Sequence, residues 1–309
     1  MSERFPTQIS ELGFYESNRL FVKREDLIPY SFGGNKARKA FLFFQEIDKG
    51  DYDCVVTYGS SSSNHCRVIS NMCCRRKLPC YIISPLESSE KTFNSLLIDL
   101  FGAEVITVPV SQVHDCIEAK LEELKHSGKR PFFIEGGGHG NVGTEAYVQC
   151  YKEIKDWEKD NNIIFDYIFL ASGTGTTQAG LVCGQLLEND QRSIIGISIA
   201  RKNPRGRDVI IESIRSYLGQ AIEEEQIQKH TMFLDDYTEG YGIGDNRINK
   251  TIEFVLKQYG IPLDITYTGK AFMGMTEYLN GQSISGKNVL FIHTGGTPLF
   301  FDTLDKLNV

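Results

Sequence analysis

Long apolar runs are missing from this chain of 309 residues. No stretch approaches the ~20 consecutive apolar residues that a bilayer-spanning helix needs, so the sequence predicts no membrane segment. The amino terminus also lacks the basic region followed by an apolar one that is typical of a secretory signal peptide. We therefore expect a cytoplasmic protein.

Positive charge is scarce as well. The 33 lysines and arginines stand against 40 acidic residues, which gives a formal net charge of −7. Such a balance does not favour binding to a nucleic-acid backbone or an anionic membrane, so neither is an expected partner. A local basic pocket for a phosphate or a carboxylate is still compatible with it.

The eight cysteines form no CxxC pair, and several of them lie in apolar segments. Zinc sites and disulfide frameworks usually show paired, regularly spaced cysteines. We therefore expect reduced thiols in the interior of the protein and no metal site.

What the chain does contain is an alternation of strand-like and helix-like segments. Short, continuously apolar runs are typical of strands buried on both faces, and the clearest is the run from Phe165 to Ala171. Further strands are predicted at 53–58, 79–84, 104–108, 132–135, 193–200 and 288–293. Helices are predicted from 64 onward, at 91–101, 113–126 and 144–157, and from 178 onward.

Repeated strand–loop–helix units predict an α/β fold with mostly parallel sheets, each covered by helices on both faces. The run of such units from 45 to 149 is self-contained. We therefore expect two three-layer domains, with residues 1–44 and 150–309 forming the large one and 45–149 the small one.

The first loop suited to chemistry is Gly33-Gly34-Asn35-Lys36. The glycines permit a tight backbone path, and Asn35 could cap the helix that follows. Lys36 would project from the first turn, where the positive end of the helix dipole favours a neutral, nucleophilic amine. A turn with an exposed lysine is the alternative interpretation of this tetrapeptide.

Two further loops offer donors for anions. Four serines at 60–63 precede Asn64 and His65, and such a turn at a helix start presents hydroxyls and free N–H groups to a carboxylate. The loop Ser172-Gly-Thr-Gly-Thr-Thr177 follows the clearest strand and suits a phosphate. A simple capping cluster and a structural turn are the alternatives.

The fourth loop, His293-Thr294-Gly295-Gly296, also follows a predicted strand. Ligands of open parallel sheets bind at the carboxyl ends of the strands, so we expect these polar loops to meet at one crevice.

Together the motifs resemble the fold type II enzymes that depend on pyridoxal phosphate (PLP). The matching segments, in the family's order, are KRED at 23–26, GGNKARK at 33–39, SNHCR at 63–67, SGTGTTQAG at 172–180, YTGK at 267–270 and HTGG at 293–296. Within that family the chain is similar to the group of 1-aminocyclopropane-1-carboxylate deaminase and D-cysteine desulfhydrase, over residues 20–301. The resemblance implies a fold like the tryptophan synthase β-subunit, PLP held by the large domain, a small amino-acid substrate and a homodimer.

The resemblance also assigns roles to residues of this chain. It makes Lys36 the lysine that carries the cofactor and moves the proton on the substrate α-carbon. The implied catalytic residues are Lys36, Ser63, Tyr241 and Tyr267. The implied cofactor contacts are Lys36, Asn64 at the phenolic oxygen, Ser172, Gly173, Thr174, Gly175, Thr176 and Thr177 at the phosphate, and Thr268 and Thr294 near the pyridine nitrogen. The implied substrate contacts are Ser62, Ser63, Asn64 and His65.

One position bears on the branch of the group. The deaminases carry glutamate after the second tyrosine, whereas the desulfhydrases carry threonine there and another before the final Gly-Gly, as Thr268 and Thr294 do here. A neutral hydroxyl leaves the pyridine nitrogen less protonated, which suits β-elimination better than ring opening. The resemblance therefore implies a lyase that releases a keto acid, ammonia and a leaving group, like D-cysteine desulfhydrase.

Departures from the group leave the substrate open. Ser62 replaces a glutamine before Ser63 and Asn64, and Ala40-Phe41 replaces Leu-Glu after the lysine motif. β-Replacement, racemisation, deamination of 1-aminocyclopropane-1-carboxylate and a non-catalytic binding protein with this fold are the alternatives.

Overall fold

The computed structural model describes residues 6–304. Within that range ten strands form two sheets. The larger sheet has the order β1-β2-β10-β7-β8-β9, and the smaller has the order β5-β4-β3-β6. The strands are β1 Ile9–Tyr15, β2 Asn18–Arg24, β3 Cys54–Tyr58, β4 Cys80–Pro85, β5 Glu104–Val108, β6 Pro131–Ile134, β7 Tyr167–Ser172, β8 Ser193–Ser198, β9 Met232–Leu234 and β10 Asn288–His293.

Eleven α-helices of the described range cover these sheets. They are α1 Asn35–Lys49, α2 Asn64–Arg76, α3 Phe93–Leu100, α4 Val113–His126, α5 Asn141–Asn161, α6 Thr176–Leu187, α7 Arg205–Leu218, α8 Glu224–His230, α9 Asn246–Tyr259, α10 Thr268–Gly281 and α11 Thr297–Phe301.

The prediction of a mostly parallel α/β fold is confirmed. All pairs in the small sheet are parallel, and in the large sheet only β1 pairs with β2 in the antiparallel sense. Parallel strands need covered faces, and both sheets have them. Helices α5, α6 and α7 pack on one face of the large sheet and α9 and α10 on the other.

The strand β7 illustrates how this layering follows from the sequence. Its side chains alternate, so Ile168 and Leu170 pack towards α5 and α6, while Phe169 and Ala171 pack towards α10. Both faces must therefore be apolar, which is why the run reads as continuous hydrophobic sequence.

The small sheet has the same three layers. Val55, Ile82 and Ile134 face a core that includes α1 and α2, and Val56 and Ile83 face α4. Helix α1 is continuous across residue 44, so the predicted boundary there lies inside a helix whose apolar side chains pack with the small sheet. The division into 1–44 with 150–309 and 45–149 stays a prediction.

The start of α1 differs from the expected cap. Gly34, with φ of 96°, occupies the N-cap position, and Asn35 is the first helical residue. The Asn35 amide instead donates to Thr177 Oγ1 at 3.0 Å, so it links α1 to the loop before α6.

No helix among residues 6–304 is long and apolar enough to cross a membrane. All eight cysteines are free thiols, of which six are buried, Cys116 is half-buried and Cys74 is exposed.

Candidate active site

A cavity of about 300 Å³ lies between the two sheets, at the carboxyl ends of β3, β6, β7, β8 and β10. Most of the residues singled out from the sequence line it. These are Lys36, Ser63, Asn64, His65, Ser172, Gly173, Thr174, Gly175, Thr177, Tyr241, Tyr267 and Thr294. The polar loops that follow separate strands therefore meet at one place.

Lys36 projects into this cavity from the first turn of α1. Two left-handed glycines direct the chain there, and a Cβ on Gly33 would lie 2.2 Å from the carbonyl oxygen of Asp26. The Lys36 Nζ donates to the carbonyl oxygen of Gly137 at 2.9 Å. Burial lowers the pKa of Lys36 from 10.5 to about 8, against a smaller raising effect of the Cys66 thiol. Burial is thus the main cause of the lowered pKa, a cause that the sequence did not reveal.

The loop between β7 and α6 has the form of a phosphate cradle. Gly175, with φ of 89°, turns the chain so that α6 begins at Thr176. Gly175 and Thr177 line the cavity, and the first amides of a helix have no helical acceptors of their own. The Ser172 Oγ is buried and has no hydrogen-bond partner. A buried hydroxyl without a partner is costly, so this cradle fits a bound oxyanion.

The start of α2 lies on another side of the cavity. The Ser63 hydroxyl caps the helix by accepting from the Cys66 amide at 3.2 Å. The amides of Asn64 and His65 belong to the first turn, where helical N–H groups have no acceptor of their own. This end of α2 is therefore suited to a carboxylate.

The Asn64 side chain has a defined orientation. Its Oδ1 accepts from Asn94 Nδ2 at 3.0 Å and from Arg67 Nη2 at 3.3 Å. The Nδ2 group is therefore the part of the amide left to donate into the cavity. A phenolic oxygen would be a matching acceptor.

His65 is neutral in this setting. The Thr57 hydroxyl donates to the carbonyl oxygen of Ile134 at 2.6 Å, so the 2.8 Å contact with His65 Nε2 requires a proton on that nitrogen. Burial and the nearby lysines Lys36 and Lys39 lower the pKa of His65 well below its usual value.

The two tyrosines form a hydroxyl pair. Tyr241 Oη and Tyr267 Oη are 2.7 Å apart, and the rings meet edge to face. Tyr241 Oη also lies 3.2 Å from Ser62 Oγ and 3.3 Å from Ser60 Oγ. Burial and the neighbouring Tyr241 raise the pKa of Tyr267 well above its usual value. Tyr267 is thus a protonated donor at neutral pH.

Three of the singled-out residues do not line the cavity. The Thr268 hydroxyl donates to the buried carboxylate of Asp264 at 2.8 Å, at the start of α10. Thr176 Oγ1 pairs with His139 Nδ1 at 2.8 Å. Ser62 borders the adjoining cavity of about 440 Å³, which Tyr241 also lines. Of the two threonines expected near a pyridine nitrogen, the structure brings only Thr294 to the cavity.

Sequence reasoning missed Arg201, which lines the cavity beyond the end of β8. Its Nη1 is buried without a hydrogen-bond partner, and burial lowers its pKa. Lys39 was also missed. It is fully buried three residues after Lys36, and burial together with the Lys36 charge lowers its pKa well below the usual value. Arg201, which of these two residues is the one that lines the cavity, favours an anionic ligand there.

Tyr58 and the glycine run after β6 complete the wall. A Cβ on Gly136 would lie 2.6 Å from the Tyr58 ring, and one on Gly137 would lie 2.8 Å from Thr174. Gly136 and Gly137 follow a predicted strand, and that position could have indicated from the sequence that they line the ligand cavity.

Comparison with known proteins gives the same picture. Residues 3–295 match the family described as pyridoxal-phosphate dependent enzyme. The D-cysteine desulfhydrase of Yersinia enterocolitica is 30% identical over 307 residues, which cover 95% of this chain and 91% of that protein. That of Serratia proteamaculans is 29% identical over 310 residues, with the same coverage of 95% and 91%.

A solved structure described as an ACC deaminase homologue superposes with a TM-score of 0.83 at 29% identity, and covers 98% of this chain and 93% of that one. The buried lysine, the phosphate cradle and the orphaned hydroxyl of Ser172 fit the cofactor of this family. The chain therefore belongs to the pyridoxal-phosphate-dependent enzymes of fold type II, and its cofactor is PLP.

Proposed function

We propose that the protein is a lyase that converts D-cysteine and water into pyruvate, ammonia and hydrogen sulfide. The observation that carries the proposal is the meeting of four groups in one cavity. A buried lysine amine, an anion cradle, a helix start suited to a carboxylate and a pair of tyrosine hydroxyls all line it. The names of the relatives supply the substrate.

The cofactor would be held at four points. Lys36 would bind it covalently, the 172–177 loop would bind its phosphate, and Asn64 Nδ2 would donate to its phenolic oxygen. Thr294, at the end of β10, is the proposed partner of the pyridine nitrogen. When bound, PLP supplies the electron-withdrawing group that acidifies the α-hydrogen of an attached amino acid.

The chain's own residues would orient the substrate and move its protons. The first amides of α2, at Asn64 and His65, would hold the substrate carboxylate, and the Ser63 hydroxyl lies beside them. Lys36, once its amine is free and neutral, would accept the α-proton. Tyr267, paired with Tyr241, would donate a proton to the departing sulfur.

One feature of the cavity supports elimination over ring opening. Among residues 6–304, no carboxylate side chain lines it. Without an acid to share a proton with, the pyridine nitrogen would stay largely unprotonated, which weakens the electron sink. β-Elimination, in which a good leaving group assists, depends less on that sink.

The direct experiment measures sulfide and pyruvate released from D-cysteine by the holoenzyme. We expect equal amounts of both products, and none from Lys36→Ala, which should also lose the visible colour of the lysine-bound cofactor. Absence of both products from a holoenzyme of normal colour would rule the reaction out.

Deamination of 1-aminocyclopropane-1-carboxylate is the second candidate. It is favoured by the structural likeness to an ACC deaminase homologue. The same assay with that compound, read for 2-oxobutanoate and ammonia, separates the two reactions. Release of 2-oxobutanoate faster than of pyruvate would favour this candidate.

We further propose a cytoplasmic homodimer. An exposed apolar strip on α3, formed by Phe93, Leu96 and Leu100, supports an interface with a second copy, since such strips are rarely left in water. Phe301 extends the strip, because its ring lies 6.0 Å from that of Phe93.

A further inference from the structure

Lys270 is a buried cation that has no part in the steps above. It lies in the first turn of α10 with none of its surface exposed. Its ammonium forms no ion pair with a carboxylate of the described residues, and burial lowers its pKa to about 8. A buried ammonium without a carboxylate partner must be satisfied by neutral oxygens, and its burial lowers the stability of the fold. A role in the function of the protein would explain why it is retained.

The oxygens that satisfy Lys270 come from two separate segments. Its Nζ donates to the carbonyl oxygen of Ile199 at 3.2 Å, to Thr238 Oγ1 at 3.4 Å and to the carbonyl oxygen of Gly240. Ile199 follows β8 and lines the cavity. Thr238 and Gly240 belong to the loop that leads directly to Tyr241.

Thr238 closes this cluster. Its hydroxyl donates to the Ile199 carbonyl at 3.0 Å and accepts from the Gly240 amide at 3.2 Å. The end of β8, the loop before Tyr241 and the start of α10 are thereby joined through one ammonium and one hydroxyl.

We propose that Lys270 is a positioning residue that holds the Tyr241 hydroxyl against that of Tyr267. Tyr267 stands three residues before Lys270 on the same helix start, and Tyr241 directly follows the Gly240 carbonyl that Lys270 binds. Lys270 thus lies in the helix start that follows Tyr267 and also holds the loop that carries Tyr241, so it sets the position of one tyrosine relative to the other across their 2.7 Å contact. This role rests on the function proposed above for the tyrosines.

The loop at 238–242 has little else to hold Tyr241 in place. Gly240 and Gly242, with φ of 148° and 71°, flank Tyr241, and glycines have the largest backbone freedom to lose. The Tyr241 side chain is 37% exposed, so packing alone restrains it little.

Asp264 gives Tyr267 a comparable support. Its Oδ1 accepts from the Tyr267 amide at 2.7 Å, so a buried anion fixes the backbone of one tyrosine while a buried cation fixes the loop of the other.

The test compares Lys270→Met, which keeps the length of the side chain and removes the charge, with the parent holoenzyme. We expect PLP affinity and cofactor colour to stay the same while kcat falls roughly tenfold to a hundredfold, as displaced catalytic groups cause. Amide hydrogen exchange of residues 238–242 should accelerate, with α10 still protected. Lys257→Met, on the exposed face of α9, is the matched control and should change neither kcat nor the hydrogen exchange of residues 238–242.

A double-mutant cycle separates positioning from general destabilisation. If Lys270 acts through Tyr241, Lys270→Met should cost little further activity in a Tyr241→Phe background. Thr238→Val, which removes one acceptor and keeps the charge, should give a smaller effect of the same kind, and decides the matter if Lys270→Met does not fold.

Unchanged exchange and unchanged kcat in Lys270→Met, or losses that add fully to those of Tyr241→Phe, would overturn the proposal. If Tyr241→Phe alone leaves kcat unchanged, the failure lies in the catalytic role of the tyrosines. The exchange measurement then still decides whether Lys270 orders the loop.

Discussion

Burial of a single amine sets the pH range in which Lys36 can act as a base. Its pKa is lowered from 10.5 to about 8, so the neutral amine becomes the main form as pH rises through that value. A base must be neutral before it accepts a proton. Burial alone therefore allows the Lys36 amine to act as a base near physiological pH.

We expect kcat for elimination to rise as pH increases through about 8 and then to level off. The measurement is the rate of pyruvate formation across that range. β-Chloro-D-alanine is the better substrate here, because it has no thiol whose own pKa, about 8.5, would add to the profile. A kcat that falls over the same interval would contradict the role given to Lys36.

The orientation of Asn64 leads to a second prediction. Asn64→Asp would replace the donor that faces the cavity with an acceptor, while Arg67 and Asn94 could still bind the other oxygen. The PLP dissociation constant should rise about tenfold, the equivalent of one hydrogen bond. Equilibrium dialysis measures it, with Asn161→Asp at an exposed position as the control, and equal affinities would show that Asn64 does not contact the cofactor.

Thr268 and Arg201 show what a single sequence cannot resolve at this scale. The motif around Thr268 indicates a cofactor contact, but the Asp264 carboxylate, four residues earlier, accepts from its hydroxyl and draws it away from the cavity. Arg201 stands outside any recognisable motif and reaches the cavity only because β8 lies beside β7. Strand order, which the sequence does not state, decides the position of Arg201, and a hydrogen bond that the motif does not reveal decides that of Thr268.

At the scale of elements, the turn into α6 depends on one glycine. Gly175→Ala would force an alanine to φ of 89° and place its Cβ 2.9 Å from Ile210 Cγ1. We expect the phosphate cradle to distort and the PLP dissociation constant to rise at least tenfold, since backbone amides supply its donors. Gly128→Ala has a similar φ of 79° with open space around it, so it carries the backbone strain alone. Equal affinities in the two variants would contradict this account.

A buried ionic network fastens α1 to β2 and α5. Arg38 donates to Glu25 at 2.6 and 2.8 Å and to Glu153 at 2.7 Å, and Tyr147 donates to Glu25 at 3.0 Å. The same oxygens lie near Cys150 in an arrangement that could suit a metal ion, but Arg38 and Lys23 already neutralise them.

Arg38→Met would leave Glu25 buried without its main partner, so we expect a loss of about 3–5 kcal/mol in the free energy of unfolding. Arg76→Met removes a partly exposed pair with Asp48 and should cost less than about 1 kcal/mol. Urea denaturation of both holoenzymes measures the difference. Similar losses would show that burial adds nothing to the pair.

The acid limit of stability follows from the same network. Arg38, Lys23 and Thr7 lower the pKa of Glu25 to about 2 despite the opposing effect of burial. In the unfolded chain the pKa of a glutamate is about 4.3. The contribution of Glu25 to the free energy of unfolding is therefore fully present above that pH and is lost as pH falls from there through about 2. In Glu25→Gln this part of the acid transition should disappear.

Elements differ in how well the sequence foretells them. The strand at 288–293 coincides with its predicted bounds, because its central residues are buried and continuously apolar. The strand at 104–108 also coincides, although it is a partly exposed edge strand, because its β-branched residues favour extended backbone. Strands β1 and β2 were not predicted, since polar residues alternate along β1 and the buried Lys23 interrupts β2. Lys23 is tolerated there because Glu25 lies near it and Glu153 pairs with it at 2.9 Å, a contact across 130 residues.

For the whole molecule, the apolar strip on α3 leads to a prediction about assembly. Leu100 is 77% exposed at the end of the strip, and Leu100→Glu would place a charge in a proposed dimer interface. We expect sedimentation to give twice the chain mass for the parent and a monomer for this variant. Leu187→Glu, at a separate exposed site on α6, is the control and should remain dimeric. A monomeric parent would exclude the homodimer.

The placement of α1 between the two sheets has a mechanical consequence. Its first turn opens onto the cavity, and its remaining length packs with the small sheet, whereas the loop suited to the phosphate belongs to the large one. A cofactor that is bound covalently to α1 and held at its phosphate by the 172–177 loop would link the part of the chain that packs with the small sheet to the large sheet. Hydroxylamine releases such a cofactor by converting its aldehyde into an oxime. The two sheets should then move more freely relative to each other, and proteases should cut the apoprotein sooner than the holoenzyme.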